Sequence, residues 1–252
     1  MPVFLLPDDL PVFPDPRRAE PEGLLALGGG LEPARLLLAY SRGIFPWSSE
    51  GEPLMWFCPS PRMVLRLPDD LHVGRSLRKQ LRRRPLRITL DLEFAAVMAA
   101  CAEPREGQEQ TWITAGIVAS FTALHRLGVA HSVEVWDGEA MVGGLYGLAI
   151  GGAFFGESMF SRESGASKQG FIALTQQLIR WDYRLIDCQM TTGHLGGLGG
   201  QELEREAFLA ALDEAVRAPG RLGPWRFDAA DASEAAAAIV ASGASAALTP
   251  RA

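Results

Sequence analysis

Two polar side chains stand two residues apart in Leu185-Ile186-Asp187-Cys188-Gln189-Met190, a segment otherwise suited to a buried strand. Strand alternation would put Asp187 and Gln189 on one face, about 6.5–7 Å apart along the chain, with Ile186, Cys188 and Met190 on the other. A carboxylate and an amide so placed can act on one small group together. The alternative is a structural Asp that bonds loop backbone, because an unpaired carboxylate in an apolar strand is costly to bury. Glu157 poses the same question. It interrupts Phe154-Phe155-Gly156-Glu157-Ser158-Met159-Phe160, the most apolar strand of the chain. Either it pairs with a basic residue, Arg162 being a candidate, or it waits for a cationic ligand.

A third feature is charge. Arg75, Arg78, Lys79, Arg82, Arg83, Arg84 and Arg87 are seven basic residues in a run without an acid. On a helix Arg75, Arg78, Lys79 and Arg82 share a stripe, while Leu77 and Leu81 can face a core. A solvated basic face is the usual meaning of such a run. The rest of the chain is acidic, with a formal net charge of −6, so a local patch of this kind also suits a phosphate backbone, and we read it so. Arg162-x-x-Gly165-x-Ser167 before a helix is similar to the pyrophosphate-binding loop of acetyl-CoA-dependent acetyltransferases, since helix-start N–H groups bind phosphates.

Other chemistries find no support. The four histidines (His72, His125, His131, His194) are scattered, and HExxH, CxxC, GxSxG and Walker patterns are absent, so neither a metal nor a serine nucleophile is expected. Cys58, Cys101 and Cys188 are odd in number and widely spaced, which favours a reducing compartment. The N-terminal stretch is broken by prolines and acids and has no basic leader, and the longest uncharged run, Ala140 to Gly156, carries six glycines. The expectation is a soluble, cytoplasmic protein without a membrane span.

Around these residues the pattern predicts an ordered set of elements. A helix opens at Glu32-Pro33, shows Leu36, Leu37 and Tyr40 on one face and closes at Gly43. Then come a strand at Met63–Leu67, a helix at Val73–Arg84, a strand at Leu86–Leu90, and helices at Leu92–Ala102 and Ala115–Leu127. Strands at His131–Trp136, Met141–Ile150 and Ala153–Phe160, joined at Asp137-Gly138 and Gly151-Gly152, read as an antiparallel meander. A helix through Phe171, Leu174, Leu178 and Trp181, a strand at Leu185–Met190 and a helix at Glu202–Val216 follow. The class is α+β with one mainly antiparallel sheet. The expected division is a small N-terminal domain (1–61), a larger domain (62–222) and an Ala-rich, disordered tail (223–252).

Several segments, in order, resemble the leucyl/phenylalanyl-tRNA–protein transferase family: FPDP (13–16), GLLALGG (23–29), YSRGIFPW (40–47), PSPR (59–62), TWIT (111–114), HSVEVWD (131–137), VGGLYG (142–147), FGESMFSR (155–162), ASK (166–168) and LIDCQ (185–189). The resemblance implies an acyltransferase-like (N-acetyltransferase-type) catalytic domain behind a small N-terminal domain. It implies transfer of Leu, Phe or Met from aminoacyl-tRNA to the α-amino group of proteins beginning with Arg or Lys, marking them for degradation, with no cofactor. It further implies Asp187 and Gln189 as the catalytic pair and Glu157 as the contact for the acceptor's basic N-terminal residue. Trp47 and Trp112 would hold the terminal adenosine, and Leu145, Phe154 and Leu174 would line the pocket for the transferred side chain. Arg75, Arg78, Lys79, Arg82, Arg83 and Arg84 would meet the tRNA body. An aminoacyl ester is already activated, so Asp187 is expected to accept or orient the amine's proton while Gln189 holds the amine in line.

The chain departs from the family pattern at Gly197-Leu198-Gly199, where a Ser is usual, at Glu204, at Phe57-Cys58 and at Ser60. Two other readings stay open on sequence: an acetyl-CoA-dependent N-acetyltransferase, and a non-catalytic binder of tRNA or protein termini. A monomer is the default, since no strongly apolar extra helix stands out.

Overall fold

Proline and glycine punctuate the first sixty residues into short elements: β1 (Phe4–Leu6), β2 (Leu24–Gly28), α1 (Pro33–Ser41), β3 (Phe45–Pro46) and β4 (Met55–Phe57). The computed structural model describes residues 3–104, 111–191 and 193–228, with the side chains of Gln80 and His194 outside the description. Pro33 sits in the first turn of α1, where its missing N–H costs nothing, and Leu36, Ala39 and Tyr40 turn into the core. Gly43 (φ 75°) ends the segment, and a Cβ there would lie 2.6 Å from the Phe208 ring. The four strands form a sheet in the order β1-β2-β4-β3. Sequence periodicity shows α1 but not these strands, which are two to five residues long and too short for a period to register.

The larger part runs β5 (Arg62–Arg66), α2 (Arg75–Arg83), β6 (Arg87–Leu90), α3 (Phe94–Ala102), α4 (Ala115–Arg126), β7 (Ala130–Asp137), β8 (Ala140–Ile150), β9 (Ala153–Ser161), α5 (Ala166–Arg180), β10 (Leu185–Asp187), α6 (Gly193–Gly196), β11 (Gln201–Leu203) and α7 (Arg205–Arg217). Seven strands make one sheet, ordered β11-β5-β10-β9-β8-β7-β6. The meander β7–β8–β9 forms as expected, with Asp137 opposite Ala140 and Ile150 opposite Ala153 at its turns. After β9 the chain crosses through α5 and returns as β10, parallel to β9, while the other pairings of this sheet are antiparallel. The class is α+β.

Alternation along the strands divides the core. Val133, Leu145, Phe154 and Ile186 pack with Phe171, Leu174 and Leu178 of α5. Tyr146, Leu148, Phe155 and Leu185 belong to a second cluster with Leu36 and Tyr40 of α1, Phe94 of α3, Phe121 of α4, Phe208 of α7 and Trp56 of the small sheet. The small sheet therefore shares an apolar core with the large one.

Three expectations are corrected. The strand expected at Leu185–Met190 stops at Asp187 as β10; Gln189 has a left-handed φ of 59°. The segment from Glu202 begins as strand β11, paired with β5, and helix α7 starts only at Arg205. The packed chain also passes the boundary expected at residue 222: Trp225 is 1% exposed and stacks on His131 at 3.6 Å. Residues 229–252 of the expected tail lie outside the described residues.

Candidate active site

Pairing between β9 and β10 covers only Ala153–Phe155 and Leu185–Asp187. Where it stops, a cavity of about 680 Å³ lies between the continuing segments, lined by Glu157 on one side and Cys188 and Gln189 on the other. Glu157 reaches it through a bulge. Tyr146 faces Ser158 and Gly147 faces Gly156, so Glu157 is the extra residue of β9. Bulges re-aim side chains, and this one turns a glutamate out of an apolar strand into the cavity. Gly147 permits it, since a Cβ there would lie 2.1 Å from the Phe155 carbonyl oxygen.

At the base of the cavity Gln189 Nε2 donates to Glu157 Oε1 at 2.7 Å. Behind them lies Asp187, fully buried. Its Oδ1 and Oδ2 accept from Arg62 Nε and Nη2 at 2.8 and 2.7 Å, and Oδ1 also accepts the Gln189 backbone N–H at 2.9 Å. That last bond holds the left-handed turn that carries the Gln189 side chain back to Glu157. Asp187 and Gln189 thus belong to one cluster, through a side-chain-capped turn and not through strand alternation.

Arg62 is equally buried, with its guanidinium 4.6 Å from the Phe45 ring and 4.8 Å from that of Phe208. Burial works against its charge, but Asp187's charge and hydrogen bonds prevail and hold the guanidinium above its ordinary value. Burial pushes the Glu157 carboxyl up to about 8; the Asp187 charge adds to this, while Tyr40, Arg62 and Gln189 oppose it. Tyr40 turns a buried hydroxyl toward this carboxylate without completing a hydrogen bond of ordinary geometry, and burial followed by the Glu157 charge raises both Tyr40 and Tyr146. The Cys188 thiol is pushed up by burial and by Asp187, which leaves it neutral and a poor nucleophile.

Trp47 and Trp112 line the same cavity, and Trp47 is 43% exposed at 5.8 Å from the Phe57 ring. Leu145 and Phe154 line it as well. Leu174 does not: it is fully buried in the cluster beneath, and Phe171 of the same helix forms that wall. Arg162 is not the partner of Glu157. It donates to Glu103 at 2.7 Å and to the Met141 carbonyl.

The basic run forms α2, with Leu81 buried and Leu77 half-buried, as its spacing predicts. Arg75, Lys79, Arg82 and Arg83 are exposed; Arg78 is half-buried, its Nε donating to the Val73 carbonyl at 2.7 Å. Arg84 lies beyond the helix and pairs with Asp137 and Glu163, so it is not part of the open basic face. Among the described residues no group of His, Cys, Asp and Glu could hold a metal ion, and no helix is long and apolar enough to cross a membrane.

Two of the sequence departures meet each other. Ser60 Oγ donates to Glu204 Oε2 at 3.0 Å and accepts the Arg205 N–H that opens α7. The Arg205 guanidinium then holds the carbonyls of Ala19, Glu20 and Cys58. Sequence reasoning missed Arg62, Tyr40 and Tyr146 as members of the site. A basic residue opening the apolar strand Met63-Val64-Leu65 was the one available signal, because a buried guanidinium requires an acidic partner.

The cleft is apolar and aromatic-walled and ends on a hydrogen-bonded carboxylate and amide, polar groups that can position a small reacting group. The family described as leucyl/phenylalanyl-tRNA protein transferase matches residues 64–213, and its N-terminal domain matches residues 29–60. A leucyl/phenylalanyl-tRNA–protein transferase of Nitratidesulfovibrio vulgaris is 51% identical over 227 residues, 90% of this chain and 97% of the relative. One of Anaeromyxobacter sp. (strain Fw109-5) is 50% identical over 232 residues, 92% and 98% of the two chains. One of Teredinibacter turnerae is 56% identical over 198 residues, 78% and 76% of the two. This chain belongs to the leucyl/phenylalanyl-tRNA–protein transferase family.

Proposed function

We propose that this protein moves leucine, phenylalanine or methionine from the ester of its tRNA to the α-amino group of proteins that begin with Arg or Lys, marking them for degradation. The observation that carries the reading is the 2.7 Å contact between Gln189 and Glu157 at the base of a cavity whose walls include Trp47 and Trp112. The terminal adenosine stacks on these two indoles, a contact worth about 1–3 kcal/mol per base. The transferred side chain lies against Leu145, Phe154 and Phe171. An apolar wall of this kind separates substrates by one methylene only weakly, by about 1–3 kcal/mol, so Leu, Phe and Met all enter. β-branched Ile and Val are excluded by shape.

The acceptor approaches the hydrogen-bonded Glu157–Gln189 pair from the cavity. Glu157 supplies the negative charge for its cationic terminus, and Gln189 orients the amine toward the ester carbon. Asp187, held by Arg62, fixes Gln189. The tRNA body lies along α2, on Arg75, Arg78, Lys79, Arg82 and Arg83, and binding weakens steeply with salt.

The meander β7–β9 followed by the α5 crossover and β10 supports an acyltransferase-like, N-acetyltransferase-type domain behind a small N-terminal domain, as the division at residue 61 expects. The protein works as a cytoplasmic monomer. Incubation with charged tRNA and Arg- or Lys-starting peptides, read by mass, tests the reading. A gain of one Leu, Phe or Met residue at the peptide N-terminus is expected. Transfer of an acetyl group from acetyl-CoA instead, or tight tRNA binding without product, would refute it.

A further inference from the structure

Asp187 is buried away from the cavity in which a substrate would sit. Both of its oxygens are engaged by Arg62, one of them also by the Gln189 N–H, and its side chain does not line the cavity. Among the described residues that do line it, Glu157 is the one carboxylate. We infer that Glu157, not Asp187, takes the proton released by the attacking amine, and that Arg62 and Asp187 are positioning residues that hold Gln189 against it. This rests on the transfer reaction proposed above and names the proton acceptor of that same site.

The step balances without another reactant. The neutral α-amine of the acceptor attacks the ester carbonyl carbon, a C–N bond forms, and the nitrogen becomes an ammonium. One of its protons passes to the Glu157 carboxylate. The bond between the carbonyl carbon and the ribose oxygen then breaks, and that oxygen takes the proton from the Glu157 carboxyl. An amide and a free hydroxyl result, and Glu157 ends ionised as it began. Were Asp187 to take the proton, the buried Arg62 guanidinium would lose its counter-charge.

The electrostatics fit. Glu157 is faced by Tyr40 from α1, Arg62 from β5, Tyr146 from β8, and Asp187, Cys188 and Gln189 from β10 and the turn after it. Burial within this ring brings its carboxyl to about 8, close to the value of about 7.7–8.0 of a free α-amine. The proton it takes comes from the ammonium formed on attack, and a carboxyl whose strength lies near the working pH is the kind that serves as a general base.

The test is single-turnover transfer from saturating Leu-tRNA to an Arg-starting peptide over a pH series, with two peptides of different α-amine pKa. In the wild type one inflection moves with the peptide amine and a second, belonging to Glu157, stays. Glu157→Gln is expected to lower the saturated rate about 10²–10⁴-fold, to change the peptide KM less, and to abolish the stationary inflection. Glu157→Asp, which keeps a carboxylate, recovers part of the rate. Asp187→Asn is slower but keeps the inflection. The assignment is overturned if Glu157→Gln keeps the saturated rate within tenfold and raises only the peptide KM, or if the stationary inflection disappears in Asp187→Asn and not in Glu157→Gln. Absence of any transfer by the wild type refutes the transfer reading itself, and this assignment with it; transfer by wild type and Glu157→Gln alike refutes the assignment alone.

Discussion

Arg62 grips Asp187 through two hydrogen bonds of 2.8 and 2.7 Å, and neither side chain has any exposed surface. Removing one partner from such a pair leaves an uncompensated buried charge and costs about 3–5 kcal/mol, whereas replacing both by apolar residues is often close to neutral. Arg62→Met is therefore expected to destabilise the protein by that amount. Arg62→Met combined with Asp187→Leu should regain much of the stability in urea denaturation while transferring no amino acid, because Gln189 loses the acceptor that holds its turn.

The bulge at Glu157 depends on the residue opposite. Gly147→Ala would place a methyl 2.1 Å from the Phe155 carbonyl oxygen and 2.7 Å from the Phe154 ring. Relief requires strands β8 and β9 to shift, which moves Glu157 from Gln189. The expected result is a loss of about 1–3 kcal/mol in thermal or urea unfolding, with transfer falling by more than that loss of folded protein explains.

Stability should carry the mark of the Glu157 carboxyl. Its value in the empty folded protein, about 8, lies above the ordinary 4.5. A carboxyl raised by folding favours the fold while protonated, so its contribution is full below about pH 4.5 and is lost as pH rises through 8. Glu157→Gln keeps the contact with Gln189 without the charge. Relative to wild type it should gain stability as pH rises from 4.5 to 8, and the difference should be absent in acid. Melting curves of both proteins across that range check the sign.

Electrostatic binding to the tRNA body predicts a salt signature. The triple change of Arg75, Lys79 and Arg83 to Glu should weaken tRNA binding and lower the slope of log affinity against log salt by roughly 0.7–0.9 for each phosphate that is no longer neutralised. Arg84→Ala should leave that slope nearly unchanged, since Arg84 faces Asp137 and Glu163. Filter binding between about 50 and 200 mM salt separates the two.

The segment after α7 belongs to the folded unit. Trp225 lies against His131, Phe154, Trp181 and Tyr183, and its backbone N–H donates to Asp91. Trp225→Ala should cost about 3–5 kcal/mol. A chain cut after Leu222 should melt well below one cut after Asp228, and differential scanning calorimetry of the two makes the comparison.

What the sequence determined by itself is local. Pro33 and the Leu36–Tyr40 spacing fix α1, Asp137-Gly138 and Gly151-Gly152 fix the meander, and the run from Arg75 fixes a basic helix over Leu77 and Leu81, because each depends on backbone preferences and periodicity within a few residues. Ordered motifs also marked Trp47, Trp112, Leu145, Phe154, Glu157 and Gln189, which the fold gathers at one cavity. The tertiary structure alone decided what each polar residue does there. Arg62 meets Asp187 from 125 positions away; the bulge at Glu157 is set by Gly147 on another strand, and Ser60 finds Glu204 where β5 begins and β11 ends. Burial makes such partners obligatory, since an unpaired charge or donor cannot stay in an apolar core. No periodicity states which distant residue will supply them. For that reason Asp187, which the sequence leaves open between a structural and a reacting carboxylate, is in the folded protein the buried partner of Arg62, and Glu157 lines the cavity.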